Sequence, residues 1–109
     1  MVLTKGGQQG KELTPSQIKA FVERVLRGYG TVAYTDHAKE RMRQREFTTQ
    51  DIQYVLETGT YSKGFWEAQT QNHEANVSGW DLDGQELELA LAIELQRRCV
   101  IVVTGKRPI

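Results

Sequence analysis

Apolar positions recur with the period of a helix in the first half of this chain and with the period of a strand in the second. Ile18, Phe21, Val22, Val25 and Leu26 keep the i, i+3, i+4, i+7, i+8 spacing of a core-facing helical stripe. Thr14-Pro15-Ser16-Gln17 stands ahead of them as N-cap, first-turn proline and capping-box partner, and Gly28 and Gly30 follow as stop signals, so a helix is expected over about residues 15–27. Residues 31–34 read as a short β-prone connection. Two short helices follow within 34–59: one capped by Thr35 or Asp36 and seated on Ala38 and Met42, the other opened by Thr48 with Asp51 three residues on. Ile52, Val55 and Leu56 give that second helix its apolar face, and Gly59 ends it.

From Thr60 the period changes to two. Residues 61–69 and 74–82 read as strands joined by a polar turn near Gln71 and Asn72, and Asp83-Gly84 is a hairpin turn into the next strand. That strand, over 86–95, alternates Leu87, Leu89, Leu91, Ile93 and Leu95 with Glu86, Glu88, Ala90, Ala92 and Glu94. Residues 99–104 are apolar on both faces and belong inside the sheet. The expectation is one α+β domain over 12–109, three helices against an antiparallel sheet of about four strands. Residues 1–11, with Gly6, Gly7 and Gly10, offer little apolar burial and are expected as a flexible tail.

Composition narrows this picture modestly. The chain has 109 residues, which suits one core, and 14 Lys and Arg balance 14 Asp and Glu. That balance counts against polyanion binding over the whole surface but leaves room for a local basic patch. The single Cys99, among apolar neighbours, is expected to be a buried thiol in a reducing cytoplasm. No secretory h-region or membrane-spanning run is present.

The candidate chemistry lies on the helix that follows Tyr34. His37, Arg41 and Arg45 are four residues apart, and a helix turns about 100° per residue, so the three fan over one face with roughly 40° of drift per step. One imidazole beside two guanidiniums makes an anion site. The cations favour a neutral His37 that can act as general base, while the arginines hold phosphate and stabilise developing charge. The plainer alternative is a solvated helix face with its arginines paired to Glu40 or Asp51. Metal catalysis is not expected: His37, His73 and Cys99 are scattered, and His73-Glu74 lacks the second histidine of a zinc-binding helix. Asp81 and Asp83 flank a hairpin turn and read as structural. Trp66 and Trp80 are of the type that stacks bases, with packing on the sheet as the plainer role. Thr104 and Lys106 put a hydroxyl and an ammonium at the sheet's rim, with Arg107 beyond them.

Residues 37–52, HAKERMRQREFTTQDI, resemble the His-Ala-x-x-Arg-Met-x-x-Arg signature of a family of small bacterial domains similar to RelE- and BrnT-like toxins, and the likeness continues through LETG and VVTGK. The resemblance implies a barnase/RelE-type ribonuclease fold and metal-independent RNA cleavage without a cofactor. It also implies RNA as substrate, with or without the ribosome, and a small antitoxin covering the site. Carried onto this chain, His37, Arg41, Arg45 and Thr104 would be catalytic, with Lys106 beside them; Lys106, Arg107 and Trp66 are the residues expected to contact RNA, the last two on residue type alone. Two features depart from it: the chain is neutral where such toxins are basic, and the helix expected over 15–27 lies outside the matched segment. A second function class therefore stands beside the first, a noncatalytic protein-interaction module of phage or mobile-element origin on the same fold.

Overall fold

The computed structural model describes residues 11–44 and 46–108. Apart from Lys11, the expected tail lies outside them. Helix α1 (Pro15–Arg24) starts as its sequence dictates: the Thr14 hydroxyl accepts from the Gln17 amide at 3.1 Å, and the Gln17 side chain accepts from the Thr14 amide at 2.9 Å. Ile18, Phe21 and Val22 are its buried face. A π-helical turn, Val25–Tyr29, then carries the chain through Gly28, at φ 105°, into β1 (Thr31–Tyr34).

Helix α2 (Asp36–Arg43) and helix α3 (Thr49–Thr58) follow, α3 opened by a reciprocal Thr48/Asp51 capping box. The rest is sheet: β2 (Thr60–Tyr61), β3 (Phe65–Glu67), β4 (Asn72–Trp80), β5 (Glu86–Glu94) and β6 (Cys99–Lys106). The order is β1-β6-β5-β4-β2, with β3 also pairing β4. Leu87, Leu89, Leu91, Ile93, Val100 and Val102 face the buried residues of all three helices, and each fully buried side chain of this kind contributes about 1.5–3 kcal/mol.

The sheet departs from the expected four antiparallel strands. Among the described residues six strands form it, and it is mixed, because β1 pairs in parallel with β6. The expected 61–69 strand is split: Gly64 leaves the β4 ladder and exchanges both backbone hydrogen bonds with Leu13, at 2.9 and 2.8 Å. The segment 31–34, expected as a connection, is held by strand pairing to residues 99–102, 68 positions along the chain. As its two-sided apolar character requires, β6 is interior. No described helix is long and apolar enough to cross a membrane.

Candidate functional site

β6 runs four residues beyond the end of its parallel partner β1, and α2 occupies the space beside that overhang. Thr35 makes the join. Its hydroxyl accepts from the Ala38 amide at 3.1 Å, capping α2, and donates to the Val103 carbonyl at 2.5 Å, while its amide donates to Val102 at 3.1 Å. Asp36 in the first turn suits the helix dipole. Ala38 is fully buried and Met42 packs on the core, which fixes the roll of the helix.

With that roll, His37 is exposed in the first turn and Arg41 follows one turn later, half-buried. The Arg41 guanidinium pairs with the Glu46 carboxylate at 2.6 Å, and its buried Nε has no hydrogen-bond partner among the described residues. Neither Glu40 nor Asp51 takes this arginine: Glu40 pairs with Arg43, and Asp51 caps α3 and accepts from the Leu82 amide at 3.1 Å. Arg45, the third expected member of the stripe, lies outside the described residues.

Glu46 is the residue that spacing could not reveal. It sits in the loop between α2 and α3, five residues from Arg41, a separation that no helical face would pair. Its carbonyl accepts from Arg107 Nη2 at 2.6 Å. Arg107 also donates from Nη1 to the Glu86 carbonyl at 3.0 Å and to the Asp81 carboxylate at 2.8 Å. The guanidinium expected on RNA thus joins the end of β6, the β4–β5 hairpin and the loop that holds Arg41. Burial pushes the Asp81 carboxyl up, but the amides of Gln85 and Asp83 and the Arg107 guanidinium together hold it below the ordinary carboxylate range.

Thr104 is half-buried and directly follows Val103, so β6 brings it to the start of α2; its hydroxyl lies 3.5 Å from the Gly105 carbonyl. It stands opposite Ala90, between the inward Leu89 and Leu91, and so belongs to the sheet face away from the helices. Lys106 is exposed on that same face, opposite Glu88. Trp66 is not brought to α2. It lies on β3, three strand spacings or about 14 Å from β6, with its ring edge-on to buried His73 at 5.1 Å. His73 Nε2 in turn donates to the Lys11 carbonyl at 2.6 Å. Cys99 is only half-buried, and burial, with Glu94 nearby, pushes its thiol up against an opposing effect of Arg97.

Among the described residues no group of three or more His, Cys, Asp or Glu side chains is arranged to hold a metal ion. The arrangement at α2 is an exposed imidazole beside a partly sheltered guanidinium fixed by a carboxylate, a pair that can move a proton next to a bound anion. No curated protein and no solved structure matches the chain. Residues 34–104, which run from the end of β1 through α2 to Thr104, match the family model described as "Domain of unknown function (DUF4258)", and the chain belongs to that family.

Proposed function

We propose that this chain is a toxin-like endoribonuclease that cleaves RNA without a metal or other cofactor. The observation that carries the reading is the exposed His37 in the first turn of α2, one turn from an Arg41 held by Glu46, within the family-matched segment. His37 takes the proton of a ribose 2′-hydroxyl. The freed oxygen attacks the adjacent phosphorus, the P–O5′ bond breaks, and the 5′-oxygen takes a proton from water while His37 gives its own back to solvent, giving a 2′,3′-cyclic phosphate and a 5′-hydroxyl. Arg41 stabilises the charge gathering on the phosphoryl oxygens, without Thr104 and Lys106, which lie on the sheet face away from the helices. Helices on one face of a largely antiparallel sheet support the likeness to RelE- and BrnT-like ribonucleases. On this reading the protein acts on cytoplasmic RNA, free or on the ribosome, and an antitoxin covers α2 until release.

The test is cleavage of a mixed single-stranded RNA pool in EDTA, with and without ribosomes, and with product ends identified. His37→Ala and Arg41→Ala should each lower the rate by roughly 10²–10³-fold, and the wild-type products should carry cyclic phosphate ends. The carboxylates Glu74, Glu86, Glu88 and Glu94 on β4 and β5 favour a second reading, the noncatalytic interaction module. A folded protein that leaves RNA intact under both conditions would replace the first reading with that one.

A further inference from the structure

Four arginines gather at the end of the molecule where α1 finishes and β5 turns into β6. Arg24 closes α1, Arg27 lies in the π-helical turn, and Arg97 and Arg98 form the β5–β6 turn; all four are exposed. Tyr29 organises two of them, Arg24 and Arg98. Its ring meets buried Phe21 edge-on at 6.4 Å, and the Arg24 and Arg98 guanidiniums lie over it at 3.8 and 4.6 Å from its centre.

The backbone beneath is tightly locked. The Thr31 amide donates to the Arg98 carbonyl at 2.9 Å, and Arg98 itself takes φ 53°, a left-handed conformation uncommon for a side-chain-bearing residue. None of the four joins an ion pair among the described residues. In a chain of zero net charge, gathering four cations at one end opposes folding by mutual repulsion, so an external anion is what such a cluster suits.

We infer that this cluster binds single-stranded RNA and holds the substrate of the α2 site, an inference that rests on the ribonuclease reading for the destination of the strand. β1 is the edge strand of the sheet. It begins at Thr31, bonded to Arg98, and ends at Tyr34, immediately before the cap of α2. Its four residues span about 13 Å, a distance that a few nucleotides cover, so the patch and His37 lie at the two ends of one open edge. Guanidiniums suit RNA in two ways: their N–H groups bind phosphate, and their planes stack on unpaired bases.

The experiment measures binding of a labelled, 2′-O-methylated mixed-sequence RNA, which cannot be cleaved, by fluorescence anisotropy over a salt series. Wild type should bind with affinity falling roughly 50-fold between about 50 and 200 mM salt if four phosphates are held. An Arg24→Gln/Arg27→Gln/Arg97→Gln variant should bind about tenfold or more weakly and lose most of that salt dependence. If the triple variant does not fold, Arg27→Gln/Arg97→Gln, which leaves both stacked arginines in place, should still weaken binding several-fold. Unchanged binding in a folded variant, no binding by wild type, or tighter binding to phosphatidylserine vesicles than to RNA would each overturn the patch. Cleavage of unmodified RNA separates the two proposals. Patch-dependent binding with no cleavage removes only the catalytic reading, and His37-dependent cleavage with unaltered binding in the triple variant removes only the patch.

Discussion

Arg107 shows how a side chain's partners decide its role. A cation near the C-terminal end of the last strand suits RNA on charge alone, yet this one reaches a carboxylate with 2% of its side chain exposed and two carbonyls. Removing it leaves Asp81 buried with only the amides of Asp83 and Gln85. Arg107→Ala should therefore cost about 2–3 kcal/mol in urea unfolding at neutral pH, less than for a fully enclosed pair because Arg107 itself is partly exposed. The sign of the pH effect follows from Asp81. Its carboxyl is held below the ordinary value of 3.8, so between the two values the unfolded chain binds more protons, and stability falls as the pH drops. The contribution is complete above about pH 4–5 and is lost as pH falls through the depressed value. Asp81→Asn should be less stable than wild type at pH 6, with the gap closing as the pH falls through the depressed value; curves that stay parallel would show that Asp81 does not drive the acid response.

At the scale of an element, α2 is positioned less by its own residues than by its cap. Eight residues are too few for a helix to stand alone, and Thr35 serves it twice, through the Ala38 amide and the Val103 carbonyl. Thr35→Ala should destabilise the protein by about 1–2 kcal/mol and lower the proposed RNA cleavage, whereas Thr35→Ser, which keeps the hydroxyl, should restore most of both. If Ala and Ser variants melt and cleave alike, the hydroxyl does not position the helix. What the sequence made legible was local: the Thr14/Gln17 and Thr48/Asp51 boxes, the leucine alternation of β5, and the Asp83-Gly84 turn, where Asp81 accepts from two turn amides. Each depends on residues within a few positions of one another. The parallel pairing of β1, the Gly64–Leu13 bridge and the Arg41–Glu46 contact depend on where distant or irregular segments meet, and no periodicity encodes that. His37 and Arg41 could be read because they share one helix; Glu46, which holds Arg41, could not.

For the molecule as a whole, the decisive contact is between β1 and β6, which brings residues 31–34 against 99–102 and so sets α2 beside the sheet's last strand. Gly30 permits it. A Cβ there would lie 1.8 Å from the Arg98 carbonyl oxygen, which is backbone and cannot swing aside as a side-chain end would. Gly30→Ala should push β1 off β6 while the antiparallel β4–β5–β6 ladder, with its own buried leucines and valines, remains paired. Hydrogen exchange reads this directly. The Thr31 and Thr35 amides, bonded to the Arg98 and Val102 carbonyls, should lose protection, while the amides of β4 and β5 keep theirs. The proposed cleavage should fall with the loss of protection although His37 and Arg41 are untouched, because β1 is the tether that places α2. Uniform loss across every strand would mean instead that the sheet opens as a single unit and that β1 has no separate role in carrying the site.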